Sequence, residues 1–459
     1  MSRLLPVHTY TDVSAALSRS LAELCLERLA MHAPLDRSLT PEDLSAAAGP
    51  TVTESGIGAK EALRLWEEVL APACLSVDHP RYLSFIPGAP TKASAAFDML
   101  VGASSVYGGT WLEGSGAVYA ENQALRWIAD LAGLPEDAGG VFVQGGTIGN
   151  LSALVAAREA ARHKRQGPPP ARWSVLVSDE THSSVKHSLQ VVMDVGMVKV
   201  PGDERGRLTG DGIRARLAEL PESELDGIFA VVGTAGTTNA GVIDDLAGIA
   251  EVARERDWWF HIDGAYGGAG LAAPSVRPLF AGVEHADSFI VDPHKWLFAP
   301  YDCCALVYRD PVLARAAHTQ KAGYLDAVTV EGEWNPSDFS VQLTRRARGL
   351  PFWFSLAVHG TAAYTEAVEQ TLRVARAGQE LIEAAEHVRL LVERDLSVLI
   401  FERIGWQAAD YTLWTARMLA AGVAFVTPTS HAGQPCTRFA IVNPETTVND
   451  LAVIIDSMK

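Results

Sequence analysis

The sequence is poor in cysteine, poor in positive charge and free of long apolar runs. Its five cysteines are odd in number and scattered without CxxC spacing, so neither a disulfide framework nor a zinc or other metal site is indicated. The 38 lysines and arginines face 55 acidic residues, and the net charge of −17 argues against nucleic acid or an anionic membrane as a partner. Charged and polar residues interrupt every hydrophobic run, and no basic segment precedes an apolar one at the N-terminus. We therefore expect reduced thiols, no targeting signal and a cytoplasmic location.

The first 74 residues are predicted to be helical. Residues 13–31 place leucines at helical spacing (Leu17, Leu21, Leu24 and Leu29), and a second helical pattern runs through residues 59–69. A helical arm with one apolar face needs something to bury that face. The two possibilities are that the arm packs on its own domain and that it clasps a second subunit.

Residues 75–350 are predicted to form one large α/β domain. Short apolar strands alternate with helical patterns there: residues 139–143, 174–178, 197–200, 228–232, 259–262 and 289–291. This alternation predicts βαβ units and a mostly parallel sheet with helices on both faces. Residues 351–459 combine a helical pattern with strand-like runs and are predicted to form a smaller α+β domain. With 48% hydrophobic residues, the chain has ample apolar content for such a core.

The loop after the first strand has the composition of a phosphate site. Gln144 is followed by Gly145-Gly146-Thr147 and a helical pattern from about Asn150. Glycines allow a close approach of the backbone to a phosphate, and Thr147 offers a hydroxyl near a helix N-terminus. A glycine-rich turn required only for packing would look the same, and the loop is neither a Walker A motif nor a dinucleotide fingerprint.

Two later strands also end in polar side chains. His182 follows the strand 174–178 among polar neighbours, where an imidazole can stack on a ring or transfer protons, or simply lie on the surface. Asp263 ends the strand 259–262, and a carboxylate there needs a cationic or hydrogen-bonding partner unless it only caps a helix. The small residues Gly264 and Ala265 leave room for a planar ring.

Lys295 follows the strand 289–291 within the sequence SFIVDPHKWLF. Burial disfavours the ammonium form, so we expect a lowered pKa and an amine that attacks aldehydes, although a strand-end lysine reaching for solvent is the simpler explanation of the position alone. Taken together, the four loops supply a phosphate cup, a stacking imidazole, an acid for a ring nitrogen and an amine for an aldehyde. Pyridoxal 5'-phosphate requires all four.

At these residues the chain resembles the group II pyridoxal-phosphate-dependent amino acid decarboxylases, including the aromatic-L-amino-acid decarboxylases, from about residue 81 to residue 350. HIDGAYGG (261–268) and DPHKW (292–296) carry the resemblance. It implies the fold-type I architecture and the roles that follow: Lys295 in Schiff-base linkage to the cofactor, Asp263 on the pyridine nitrogen, His182 stacked on the ring, Ala265 against the ring, Thr147 and Gly146 with His294 at the phosphate, and Thr237 near the cofactor.

The resemblance also implies the reaction, which is loss of CO2 from an L-amino acid to give the amine. Tyr324 matches the mobile-loop tyrosine that protonates the α-carbon in the aromatic branch, helped by His182, and this loop reaches the neighbouring subunit's site in a homodimer. Three alternatives remain: decarboxylation coupled to oxidative deamination, another lyase or transaminase of the same fold, and a non-catalytic protein that kept the fold.

The substrate pocket is predicted to be apolar. Its expected wall comprises Tyr82, Phe85, Ile86 and Pro87 from the aromatic and proline-rich segment 79–90, together with Trp111. No basic residue stands out there, so an aromatic or branched aliphatic side chain is favoured over glutamate. Two departures from the aromatic branch are visible. Gly108 and Gly109 replace bulkier residues, which predicts a roomier pocket, and Asp292 replaces an asparagine, which makes it a poor phosphate ligand unless it bonds His294 or a backbone donor.

Overall fold

The computed structural model describes residues 8–320 and 332–459. Its α-helices are α1 (Asp12–Ala30), α2 (Pro41–Ala48), α3 (Ala59–Leu65), α4 (Lys92–Ser104), α5 (Trp111–Leu131), α6 (Gly146–Lys164), α7 (Ser183–His187), α8 (Gly210–Glu219), α9 (Glu222–Leu225), α10 (Leu246–Arg256), α11 (Pro293–Trp296), α12 (Pro311–His318), α13 (Leu350–His359), α14 (Thr361–Ala384), α15 (Ala408–Ala420) and α16 (Val448–Asp456). Its strands are β1 (Gly139–Val143), β2 (Ser174–Ser178), β3 (Gly196–Val200), β4 (Ile228–Thr234), β5 (Trp259–Asp263), β6 (Ser288–Val291), β7 (Cys304–Tyr308), β8 (Val388–Leu390), β9 (Val398–Arg403), β10 (Pro428–His431) and β11 (Gln434–Ala440).

Seven strands form the central sheet in the order β1-β7-β6-β5-β4-β2-β3. The strands β2 to β6 pair in parallel, whereas β7 runs antiparallel to both β1 and β6. Strands β4 to β7 are buried along their whole length, as expected for a sheet covered by helices on both faces. The predicted mostly parallel α/β fold is confirmed, and the carboxyl ends of β2, β4, β5 and β6 meet at one edge.

Two local predictions differ from the structure. Helix α6 begins at Gly146 rather than near Asn150, so the glycine-rich stretch is largely the first turn of the helix. Glycine's low helix propensity makes such a start hard to read from sequence. Strand β7 was not predicted, because a five-residue apolar run carries little periodicity of its own.

The smaller sheet has the order β10-β11-β9-β8 and lies beside the segment 81–84. The amide of Leu83 donates to the Phe425 carbonyl at 3.0 Å, and the amide of Ala440 donates to the Leu83 carbonyl at 2.9 Å. This segment, which the sequence places at the start of the large domain, is therefore tied to the small sheet. The domain limits at 74/75 and 350/351 stay predictions.

No side chain of the N-terminal helices α1 and α2 is buried by the rest of the same chain. Tyr10, Val13 and Leu26 are among the large apolar side chains that are mostly exposed. Among the described residues, no helix is long and apolar enough to cross a membrane.

A buried ion pair fastens the segment 345–349 to helix α5. Arg345 Nη1 and Nη2 donate to the two carboxylate oxygens of Glu121 at 2.8 and 2.9 Å, and both side chains are almost fully buried. The Gly349 amide adds a 2.7 Å hydrogen bond to the same carboxylate. Through these contacts at Arg345 and Gly349, Glu121 holds the segment that precedes α13 against helix α5.

We expect Glu121→Gln to lower the free energy of unfolding by about 3–5 kcal/mol, because it leaves the Arg345 charge buried without a counter-charge. Denaturant titration followed by circular dichroism measures the change. The control is Asp130→Asn, which breaks an exposed ion pair with Arg126 on the same helix and should cost about 0–1 kcal/mol. Equal losses in the two variants would contradict the expectation.

Candidate active site

A cavity of about 240 Å³ lies at the edge of the large sheet where the carboxyl ends of β2, β4, β5 and β6 meet. Its wall includes seven of the residues predicted from sequence: Gly146, Thr147, His182, Asp263, Ala265, His294 and Lys295. They come from four strand-to-helix connections that are far apart in the sequence. The parallel sheet brings them together because every such connection leaves from the same edge.

Lys295 lies in the short helix α11 and forms an ion pair with Asp292. The Nζ and Oδ2 atoms are 2.9 Å apart, and the Asp292 side chain is almost fully buried. Burial by itself lowers the pKa of Lys295, as the sequence predicts, but Asp292 and then Asp263 outweigh it, so the pKa is raised. The predicted lowering is therefore wrong for the cofactor-free site, and Lys295 is held there as an ammonium.

The side chain of Asp292 is already engaged by Lys295, His294 and the Gly146 amide. Burial raises its pKa, but Lys295 and His294 outweigh burial and the pKa is lowered, so the side chain is a carboxylate. Its Oδ2 also accepts from the Gly146 amide at 3.4 Å and lies 3.7 Å from His294 Nε2. These are the partners that the sequence required of an aspartate beside a phosphate.

His294 has a defined tautomer. Its Nδ1 accepts a hydrogen bond from the Cys303 amide at 3.0 Å, so Nδ1 carries no proton. Burial lowers the pKa of His294 despite the nearby Asp292 carboxylate. The ring is therefore neutral at pH 7, with its N–H at Nε2 on the side of Asp292.

Asp263 ends β5 and is buried. Its Oδ1 accepts from the Ala265 amide at 3.1 Å, and its Oδ2 accepts from Asn150 Nδ2 at 2.9 Å. No ion pair to Asp263 occurs within the part of the chain that the structure describes. The carboxylate is thus hydrogen-bonded by neutral donors, and the Lys295 ammonium acts on it only from beyond ion-pair contact.

His182 caps the short helix α7. Its Nδ1 receives the Ser184 amide at 3.2 Å and lies 2.8 Å from the Ser184 hydroxyl. Because Nδ1 accepts from a backbone donor, the ring proton is on Nε2. The imidazole is exposed and lines the cavity.

Other predicted residues lie elsewhere. Thr237 is buried and outside the cavity wall; its hydroxyl accepts from the Val242 amide at 3.2 Å, and the neighbouring Thr238 lines the cavity instead. The predicted substrate residues Tyr82, Phe85, Ile86, Pro87 and Trp111 are also absent from this wall. Tyr324 lies outside the described residues.

The side chains of Tyr82 and Ile86 are buried, because the backbone of segment 81–84 pairs with the small sheet. The Tyr82 ring packs edge-on against Phe425 at 5.0 Å between ring centroids. Phe85, by contrast, is more than half exposed.

Sequence reasoning missed several residues of the wall, namely Asn150, Glu180, Ser184, Thr234 and Thr238. The available signal was weak. Asn150 shares the apolar helical stretch 148–157 with one other polar side chain, Ser152, and Thr234 ends an apolar strand as Asp263 does.

The wall fits pyridoxal phosphate. Helix α6 begins at the cavity, and its N-cap glycine has no side chain to cap the first amides; the Gly146 amide has only a long 3.4 Å contact with Asp292, which leaves the helix start favourable for an anion. The Thr234 hydroxyl is buried in the wall without a hydrogen-bond partner among the described residues, as an unfilled polar site would leave it. Asp263 has no cation in ion-pair contact within the described chain, and a protonated pyridine nitrogen would provide one, while Lys295 supplies the amine.

A family profile described as "Pyridoxal-dependent decarboxylase conserved domain" matches residues 41–404. The chain belongs to this family. It is a pyridoxal-phosphate-dependent amino acid decarboxylase, as the resemblance implied, and pyridoxal phosphate is its cofactor. The roles of the individual side chains remain proposals.

The decarboxylase is similar along most of its length to relatives with different substrates. It is 28% identical over 437 residues to an aromatic-L-amino-acid decarboxylase of Bacillus atrophaeus, with 93% of this chain and 90% of the relative covered. It is 30% identical over 420 residues to an L-2,4-diaminobutyrate decarboxylase of Rhizobium meliloti (strain 1021), with 88% and 82% covered. The solved structure of Oryza sativa TDC with PLP and tryptamine has the same fold, with a TM-score of 0.87, 22% identity and 98% of each chain covered.

We expect Asp292→Asn to let the cofactor-free decarboxylase capture pyridoxal phosphate at lower pH. Asp292 raises the pKa of Lys295, so its removal lowers that pKa and increases the neutral amine at any pH below it. Stopped-flow absorbance at a series of pH values measures the capture rate. The midpoint of its rise with pH should move downward.

The matched control is Asp302→Asn, which removes a carboxylate from the same neighbourhood that pairs with Arg348 rather than Lys295. Its capture profile should keep the wild-type midpoint. A common shift in both variants would mean that overall charge, and not the contact with Lys295, sets the profile.

Proposed function

We propose that the protein decarboxylates an L-amino acid with an aromatic or apolar side chain, releasing the amine and CO2. The observation that carries the proposal is the convergence of Lys295, Asp263 and His182 on one cavity at the helix α6 N-terminus. An amine, a carboxylate and a flat imidazole in one wall are the groups that pyridoxal phosphate needs for its aldehyde, its ring nitrogen and its ring face.

The substrate class rests on the segment 79–90, which lies against the Lys295 helix. Gly88 packs so closely on the carbonyl oxygen of His294 that a side chain there would collide with it. Phe85, three residues earlier, is more than half exposed and has a positive φ of 54°, an uncommon conformation for a bulky residue. An exposed aromatic ring three residues from the contact between Gly88 and the Lys295 helix favours an apolar substrate side chain.

The proposed cofactor contacts fall on residues of the cavity wall, with Thr237 just outside it. Lys295 would hold the cofactor through its amine, and Gly146, Thr147 and His294 would bind its phosphate. Asp263 would keep a proton on its ring nitrogen, with His182 and Ala265 on the two ring faces and Thr237 nearby in the β4 loop. When bound, pyridoxal phosphate takes up the electron pair that departing CO2 leaves behind.

Two residues of the protein would handle the proton that replaces the carboxylate. The Tyr324 hydroxyl would donate it to the α-carbon, and the Nε2–H of His182 would assist. Lys295 would then receive the cofactor again as the amine leaves. Loss of the Tyr324 proton would give O2 time to react, which is the route to aldehyde, ammonia and hydrogen peroxide.

We also propose that the active unit is a homodimer in which Tyr324 serves the partner's cavity. The support is the uncovered apolar surface of α1 and α2, which a second copy would bury. Helices without a single buried residue gain little by packing on their own chain alone.

The substrate proposal is tested with a panel of amino acids scored by CO2 release and by O2 uptake. We expect tyrosine, tryptophan, phenylalanine or leucine to release CO2 without O2 uptake, and Lys295→Ala to release none. A preference for L-2,4-diaminobutyrate or glutamate would refute the apolar pocket. O2 consumed in step with CO2 would identify the aldehyde-forming reaction instead.

The role of Tyr324 and the dimer are tested together by mixing two inactive variants. Tyr324→Phe should form little amine and should gain O2 uptake, whereas Lys295→Ala should be inert. If Tyr324 acts across the interface, re-associated 1:1 mixtures recover about a quarter of wild-type amine formation, because half of the dimers are hybrids with one intact site. No recovery from hybrids shown to form would place Tyr324 in its own subunit's cavity.

A further inference from the structure

A continuous line of buried polar side chains runs along one face of the large sheet, from the amino end of β5 to the cavity. Trp259 Nε1 donates to Ser288 Oγ at 2.8 Å, and Ser288 Oγ lies 2.8 Å from His261 Nδ1. His261 Nε2 lies 2.8 Å from Asn150 Oδ1. Asn150 Nδ2 then reaches Asp263 Oδ2 at 2.9 Å and the Ser184 hydroxyl at 3.2 Å.

The cavity end of this line fixes which way each hydrogen bond points. The Asp263 carboxylate only accepts, so the amide nitrogen of Asn150 must face it and the amide oxygen must face His261. His261 Nε2 must therefore carry the ring proton. Its Nδ1 is then an acceptor for the Ser288 hydroxyl.

The far end is compatible with the same direction. An indole N–H only donates, so Trp259 occupies one lone pair of Ser288, and the hydroxyl proton of Ser288 can go to His261. Burial lowers the pKa of His261 to about 4, so the ring is neutral at pH 7 and has one proton to place. The cavity end thus selects one proton arrangement, and the far end accommodates it.

Asn150 is also linked to His182 through the Ser184 hydroxyl. Ser184 accepts from Asn150 and so donates its hydroxyl proton to His182 Nδ1, which also receives the Ser184 amide. The exposed Nε2 of His182 is thereby left with the ring proton. The Asn150 amide group therefore contacts both the Asp263 carboxylate, proposed to bind the ring nitrogen, and the Ser184 hydroxyl, which bonds His182.

We propose that Asn150 is a positioning residue, held by the His261–Ser288–Trp259 line, which orients the Asp263 carboxylate and, through the Ser184 hydroxyl, supports the His182 tautomer that the Ser184 amide selects. The inference rests on the roles proposed above for Asp263 and His182. Its alternative is that these groups merely satisfy one another in the core. The two differ in whether changing the far end, away from the cavity, alters what the cavity binds.

The test compares three variants by the affinity of the cofactor-free protein for pyridoxal phosphate and by turnover. Asn150→Ala should weaken cofactor binding about tenfold to a hundredfold, the range for losing one hydrogen bond to a charged group. Ser288→Ala, which does not touch the cavity wall, should weaken it in the same direction because it frees His261 to change tautomer. Ser184→Ala should keep the affinity and lower turnover, since only the His182 branch is cut.

Ser152→Ala is the matched control, because Ser152 is a buried hydroxyl two residues further along α6 that bonds the Val341 amide instead. It should change neither quantity. Wild-type affinity in both Asn150→Ala and Ser288→Ala would overturn the proposal, as would losses of the same size in the control.

Nitrogen-15 NMR of ring-labelled histidines in the cofactor-free wild type tests the direction of the line, with His261→Gln used only to assign the signal. His261 should show an unprotonated Nδ1 and a protonated Nε2; the opposite tautomer would overturn the proposal. Failure of the proposed function would look different. The wild type would bind pyridoxal phosphate and release no CO2 from any amino acid, while these affinities and tautomers stayed measurable.

Discussion

The burial of a carboxylate at the end of β5 is the constraint on which the rest of the site depends. Asp263 would be costly in a sheet interior without donors, and the chain provides them from two places, the Ala265 amide and the Asn150 amide group. Asn150 can reach it only because α6 starts at Gly146, directly beside the sheet edge. The same helix start faces the cavity without a cap from its N-cap residue Gly145, so carboxylate orientation and the proposed anion binding have one structural origin.

The Lys295 ammonium, unlike the Asp263 carboxylate, is balanced by an ion pair. Lys295 has a full counter-charge, Asp292, where Asp263 has only neutral donors. Lys295 therefore stays in the ammonium form as long as its contact with Asp292 is intact. Asp292 lies under the Gly146 amide at the helix start, where it competes with any incoming anion for the same donor.

The sequence was sufficient for the fold class and for predicting that Asp263 and Lys295 would meet at one edge of the sheet, where both line the cavity. Asp263 ends an apolar strand, Lys295 lies four residues after another, and Gly264 beside Asp263 marks a close approach. Their roles stay predictions. The direction of the Lys295 pKa could not be predicted, because burial and Asp292 act in opposite senses and only the 2.9 Å contact decides between them.

Asn150 could not be assigned a role because its partners, Ser184, His261 and Asp263, are distant in sequence and meet only in the folded sheet. The predicted pocket residues illustrate the same limit. Whether Tyr82 faces a substrate or the core depends on pairing between its neighbours and residues near 425, which no local pattern reveals.

The stacking of Tyr266 on Trp296, with ring centroids 5.2 Å apart, has a consequence for biosynthesis. These rings adjoin Asp263 and Lys295, and they are anchored in turn on Ser397, through the Tyr266 hydroxyl at 2.6 Å, and on Thr371, through the indole N–H of Trp296 at 2.9 Å. Both anchors, Thr371 and Ser397, are synthesised long after the segments that contain Asp263 and Lys295. We therefore expect a nascent chain that has just exposed Lys295 from the ribosome to lack the support for these two rings, and stable loading with pyridoxal phosphate to follow the synthesis of both anchors.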